Sequence, residues 1–244
     1  MAEFLMQIAG YTGLVTSLFE STRDYCRKYL TEGTPDFSLA VSREDLAFEQ
    51  EALRLEALEE GIKVRIFTDP FLERTAIQRK FAEFLFDRKV LMTHGSTVAV
   101  DGKAYLFTAK CGTGKSTHTR LWRQVFGERA VMVNDDKPFL KITQEGVLAC
   151  GSPWSGKHGL DSNIAVPLQG ICILDRGIEN QIHRISPEEA LPMLLHQSYR
   201  PLAPDKGERF EELVTLLAEK VPLWHMACNM DPAAAEISHT AMKN

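Results

Sequence analysis

The 244-residue chain has no run of lysines and arginines, and its 28 basic side chains are outnumbered by 33 acidic ones, for a formal net charge of −5. Nucleic acid and anionic membrane surfaces are bound through clustered positive charge, so neither is expected as a partner. No C-x-x-C pair joins any of the five cysteines, Cys26, Cys111, Cys150, Cys172 and Cys228. Their wide spacing argues against a zinc framework and a secreted disulfide pattern. Three of them stand in apolar, strand-like runs, where cysteine acts as a small hydrophobe. No apolar run approaches membrane-spanning length, and Met1 to Met6 lack the basic region of a signal peptide. A cytoplasmic protein is the expectation. Internal repeats and low-complexity tracts are missing. His118, His158, His183, His196, His225 and His239 show no metal-ligand spacing and read as structural or solvated.

What remains, 44% apolar and 25% charged residues, suits a globular protein large enough to bury a sizeable core. Residues 1–88 read as a small α/β appendage. Its apolar segments Phe4–Ala9 and Leu14–Phe19 fit edge strands or short helices equally. Helical spacing follows over 21–30 and a strand pattern over Phe37–Val41. Ser42 with Asp45 opens a helix that can run to Gly61, and Val64–Phe67 is a further strand candidate. Asp69-Pro70 starts a helix through Arg88. Residues 89–244 form the second domain. Strands are expected at 90–92, 96–100 and 104–109, with Asp101-Gly102 as a type I′ turn. Others follow at 130–133, 139–142, 147–150, 168–174, 181–185 and 223–228. Helices are expected from Ser186 toward His196, over about 207–220 and after Asp231-Pro232.

The stretch Ala109-Lys110-Cys111-Gly112-Thr113-Gly114-Lys115-Ser116-Thr117 lies between a strand pattern and a helical one. That is the setting of a phosphate-binding loop, although its first position is alanine rather than glycine. Gly112 and Gly114 free the backbone to turn successive N–H groups toward an anion, and the following helix adds its N-terminal donors. Lys110 to Thr117 are thus the candidate nucleotide-binding residues. Lys115 would reach the β- and γ-phosphates, and the Ser116 hydroxyl would ligate Mg²⁺. Asp135-Asp136 ends an apolar strand about twenty residues past Ser116. Two adjacent carboxylates allow one to hold the metal while the other takes a proton from an attacking hydroxyl. Alone, the same residues would read as a solvated turn.

The glycine-rich stretch Gly151 to Asn163 reads as too polar for a core element. Within it Lys157 is a candidate charge donor to the γ-phosphate, and Trp154 fits either an acceptor wall or a side chain tucked under a surface loop. The order Met92-Thr93-His94-Gly95-Ser96, hairpin, phosphate loop, helix, Val133-Asn134-Asp135-Asp136-Lys137 resembles the catalytic domain of bacterial HPr kinase/phosphorylase. More distantly it resembles the nucleotide-binding domain of phosphoenolpyruvate carboxykinase. The resemblance spans about residues 89–186. It implies an α/β fold with a mixed-sheet P-loop core, ATP and Mg²⁺ as cofactors, and related oligomers that leave a homo-oligomer open. It further implies Asp135 as acid/base, Asp136 as the metal-side carboxylate and His94 near the transferred phosphoryl group. Gly151 to Gly159 stands where that family has a glutamate- and arginine-containing signature, and residues 1–88 are unlike its N-terminal domain. The expectation is an ATP-dependent kinase acting on a hydroxyl acceptor, either a small molecule or a protein serine. An ATP-binding regulatory module without turnover and a carboxykinase-type enzyme are the alternatives.

Overall fold

The computed structural model describes residues 1–59, 61 and 63–243. They divide into two compact units, Met1–Leu85 and Phe86–Asn244. In the first, β1 (Ala2–Ile8) and β2 (Tyr11–Ser17) form an antiparallel hairpin. The ambiguous apolar segments are therefore strands, with Phe4, Met6 and Ile8 alternating inward. Their turn places Ala9 and Gly10 at φ 53° and 83°, the two left-handed positions that a type I′ turn demands. Helix α1 (Glu20–Tyr25) is shorter than the 21–30 pattern, because the chain tightens into a 3₁₀ turn at Arg27–Tyr29. Strand β3 (Phe37–Ala40) then pairs parallel to β2.

Helix α2 (Arg43–Glu59) opens on a reciprocal pair: Ser42 N donates to Asp45 Oδ2 at 2.9 Å and Asp45 N to Ser42 Oγ at 3.3 Å. Its expected continuation to Gly61 lies partly outside the described residues. Val64–Phe67 is not a strand. Gln50 on α2 takes over its backbone instead, accepting from Phe67 N at 2.9 Å and donating to Arg65 O at 3.1 Å. A side chain that satisfies these groups removes the need for a ladder partner. Helix α3 (Asp69–Phe86) follows.

The second unit contains β4 (Val90–Met92), β5 (Ser96–Val100), β6 (Lys103–Thr108), α4 (Lys115–Phe126) and β7 (Ala130–Asn134). After them come β8 (Phe139–Ile142), β9 (Val147–Cys150), β10 (Ala165–Arg176), β11 (Gln181–Arg184), α5 (Pro187–Gln197), α6 (Gly207–Lys220), β12 (Leu223–Cys228) and α7 (Ala233–Met242). The strands make one mixed, curled sheet in the order β4-β8-β9-β10-β6-β5-β7, with β12 also on β10 and β11 on β12. The twelve residues of β10 make the curl. Ala165–Pro167 pair antiparallel to β9, while Leu168 onward pairs parallel to β6 and, from Ile171, to β12.

Alternation along β6 divides the core. Ala104 and Leu106 face one apolar cluster with Leu194 of α5 and Leu213 and Leu217 of α6. Tyr105 and Phe107 face another with Leu121 and Trp122 of α4 and Ala234 and Ala235 of α7. A sheet with helices on both faces is the outcome. Removing one fully buried ring such as Phe107 would cost about 3–5 kcal/mol. Among the described residues, no helix is long and apolar enough to cross a membrane.

Candidate functional site

The end of β6 delivers the chain to the loop that precedes α4. Gly112 and Gly114 take φ of 74° and 122°, and a Cβ on Gly112 would touch nothing within 4 Å. Glycine is thus required there by backbone conformation rather than by space. Gly114 is also the N-cap of α4 and supplies no side-chain cap. The first-turn N–H groups of a helix have no intrahelical acceptors, so this uncapped end presents donors and the positive pole of a dipole. Lys115 Nζ folds back to Ala109 O at 3.0 Å, and burial lowers its pKa. Lys110 and Cys111 are exposed on the loop. Arg176, the last residue of β10, donates from Nη2 to Gly112 O at 2.7 Å and ties the loop to the sheet.

Asn134 at the end of β7 is fully buried and organises the acidic turn. Its Oδ1 accepts from Asp136 N at 2.8 Å and Lys137 N at 2.6 Å, while Nδ2 donates to Ser152 O at 2.9 Å. Asp135 is 8% exposed and accepts from Ser96 Oγ at 2.6 Å. Ser96 Oγ in turn lies 2.7 Å from Thr119 Oγ1, so a hydroxyl chain connects this carboxylate to α4. Asp136 looks the other way, with Oδ1 3.3 Å from His94 Nε2. Burial raises the Asp136 pKa and the Asp135 charge adds to this, against the opposing pull of Lys137 and Lys115. Burial, helped by Lys137, Lys115 and His196, pushes His94 down to about 3. The imidazole is therefore neutral at pH 7, and its contact with Asp136 is not an ion pair. Backbone bonds fix His94 between β4 and β5: its N–H reaches Gln197 O at 2.7 Å, and its carbonyl accepts from Thr108 Oγ1 at 2.9 Å.

The fold thus gathers His94, Lys115 and Asp136 around one set of charges, and Ser116 with Asp135 in one cleft. Lys157 sits in an exposed 3₁₀ turn, Gly156–His158, and among the described residues nothing pairs with its ammonium. Its neighbour His158, which the sequence reads as structural or solvated, lines the Ser116–Asp135 cleft. Residues 151–155 correct the expectation that this stretch is too polar to be buried. Ser152 Oγ donates to Lys137 O and Ser155 Oγ to Asp161 Oδ1, both at 2.7 Å, so the polar groups are satisfied internally. Trp154 is the tucked side chain, 6% exposed and 6.2 Å from the Phe139 ring centroid.

Two clefts flank the loop. One of about 480 Å³ runs from Gly112, Gly114 and Thr117 to Arg176, Cys228 and Met230 at the ends of β10 and β12. The other, about 350 Å³, is lined by Ser116, Thr117, Arg120, Arg123, Asp135, His158 and Leu160. Among the described residues, no three His, Cys, Asp or Glu side chains gather to hold a metal. The hydroxyl of Ser116 and the nearby carboxylates are hard oxygen donors of the kind Mg²⁺ takes when phosphate and water complete its shell. Sequence reasoning missed Ser96, Thr119 and Arg176, whose roles exist only once elements distant in sequence are side by side. Lys137 was legible only as the residue after the acidic pair.

No family model matches the sequence, and no curated protein matches it. Among solved structures, the chain is similar to the Hpr(Ser) kinase/phosphatase from Coxiella burnetii, at 10% identity and a TM-score of 0.36, covering 63% of this chain and 99% of that one. This is a distant structural resemblance, and at that score it carries no functional argument.

Proposed function

We propose that this chain is an ATP-dependent kinase of the HPr kinase-like kind, moving a γ-phosphoryl group to a hydroxyl acceptor. The observation that carries the reading is the hydroxyl relay Asp135–Ser96–Thr119, which fixes a buried carboxylate against the helix whose uncapped N-terminus begins at Lys115. The Lys110–Thr117 backbone would cradle the phosphates of ATP, and the larger cleft would receive its nucleoside. Lys115 leaves Ala109 O to pair with the β- and γ-phosphates. Bound Mg²⁺, held by Ser116 and Asp136, would neutralise phosphate charge and orient the γ-phosphoryl group. Asp135 takes the acceptor proton, neutral His94 stands beside the transferred group, and unpaired Lys157 is available to stabilise its charge. A second reading exchanges the carboxylates, because the raised pKa and the His94 contact of Asp136 suit a base.

The test is calorimetry with a non-hydrolysable ATP analogue and Mg²⁺, alongside ADP release across a panel of hydroxyl compounds and serine peptides. Lys115→Ala should remove analogue binding while the far-UV circular dichroism is kept. Wild-type affinity in that variant would sink the reading. Binding without ADP release under any acceptor would leave a nucleotide-binding module.

A further inference from the structure

We infer that the smaller cleft is the acceptor site and that it selects a small hydroxyl compound bearing an anionic group, a carboxylate or a phosphate. The inference rests on the kinase reading above. The cleft's volume of about 350 Å³ suits a small molecule. Its lining joins two residues of the reacting centre, Ser116 and Asp135, to three basic side chains, Arg120, Arg123 and His158. Ser116, Arg120 and Arg123 fall at i, i+4 and i+7 on α4 and so share a face. Side chains on a helix lean toward its N-terminus, which aims both arginine stems back toward Ser116.

Neither guanidinium has a partner among the described residues, whereas Arg43, Arg54, Arg79, Arg129 and Arg200 all pair with carboxylates. Asp135 makes no ion pair with either arginine among the described residues, and its Oδ1 accepts from Ser96. In a chain of net charge −5, two free arginines opposite a reacting carboxylate leave a positive pocket without its anion. The donor triphosphate is not that anion. At 1.5 Å per residue, the α-carbons of Arg120 and Arg123 stand roughly 6 and 10 Å along the axis from Ser116, and neither arginine lines the larger cleft beside Gly112 and Gly114. In transfer, the acceptor oxygen bonds to phosphorus as the bond from phosphorus to the ADP oxygen breaks. The hydroxyl proton goes to Asp135, and the anionic group stays on the arginines throughout.

The test measures binding of glycerate, glycerol 3-phosphate and glycerol by calorimetry, in the presence of saturating ATP analogue and Mg²⁺. Both anions should bind and glycerol should not, and their ratio decides between carboxylate and phosphate. An Arg120→Gln/Arg123→Gln double variant should lose about ten-fold or more in anion affinity while holding analogue affinity within about three-fold. His158→Gln should give a smaller loss. If the analogue binds but neither anion does, or if glycerol or the double variant matches, the acceptor site is overturned and the kinase reading stands. An acidic serine peptide bound more tightly than either small anion overturns the small-molecule assignment. Failure of wild type to bind the analogue removes the kinase reading and this inference with it.

Discussion

Two adjacent carboxylates, Asp135 and Asp136, meet different partners where the chain bends off the end of β7, a bend that the Asn134 side chain holds. Asp135 goes to Ser96 and the arginine-lined cleft, Asp136 to His94 and the lysines. Asp135→Asn is expected to spare analogue binding and slow transfer by roughly 10²–10⁴-fold, the range for loss of a general base. Asp136→Asn should instead weaken Mg²⁺-dependent binding. Calorimetry and initial rates on both variants check this, and a reversed pattern assigns the base to Asp136. His118 raises a different question, since it is buried against Trp122 and Ser238 with Nε2 contacts of 3.2 and 3.1 Å. Burial lowers its pKa to about 4. Between the unfolded value near 6.5 and that folded value, only the unfolded chain takes up the proton. Stability from the neutral ring is therefore complete above pH 6.5 and drains away as pH falls toward 4, by an amount approaching ~3 kcal/mol. His94 titrates over an overlapping window, so the measurement is the gap between wild type and His118→Gln in denaturant midpoints. That gap should shrink from pH 7.5 to pH 4; a constant gap would show that His118 is not the group responsible.

At the scale of elements, β5 must begin very close to β6, and Gly95 permits it. A Cβ there would fall 2.6 Å from Leu106 Cδ1 and 3.1 Å from Phe107 O, both in β6. Gly95→Ala is expected to cost about 1–3 kcal/mol through overpacking. It should also weaken catalysis, because Gly95 N holds Asp136 O at 3.0 Å and His94 is its neighbour. Urea denaturation read beside the rate separates the two effects, and a fully stable Gly95→Ala would show that β5 has room to shift. Most elements were legible from local signals. The Ser186 capping box is present with both of its bonds, and Asp101-Gly102 turns with φ of 52° and 76°. Segments whose fate depends on a distant side chain were not legible. Val64–Phe67 lost its ladder to Gln50, and Gly151–Ser155 gained burial from Asn134 and Lys137.

Across the whole second unit, topology assembles the site. β6, β10 and β12 run parallel, and β7 runs the same way through its antiparallel partner β5. The ends of all four, and the start of β5 after His94-Gly95, therefore share one edge of the sheet, where ligands of α/β proteins collect. The loop and the acidic pair were readable because each is contiguous in sequence. Arg176 was not, since its reach to Gly112 O spans 64 positions and exists only once β10 lies beside β6. That contact supports the last prediction. If the loop binds nucleotide as proposed, Arg176 would hold it in its binding conformation through the Gly112 carbonyl, so its loss should fall on affinity rather than on the unliganded fold. Arg176→Gln is expected to change unliganded stability by no more than about 0.5 kcal/mol, as for other exposed positions. Wild type at a ligand concentration of 100 times Kd gains about 2.7 kcal/mol from a ligand that binds only the folded state. At the same analogue and Mg²⁺ concentration the variant should gain about 1 kcal/mol less, the usual worth of one solvent-accessible hydrogen bond. Paired thermal-denaturation curves with and without analogue measure both quantities. An equal ligand-induced shift in the two proteins would mean that the loop holds its shape without Arg176, while a large loss of unliganded stability would make the contact structural.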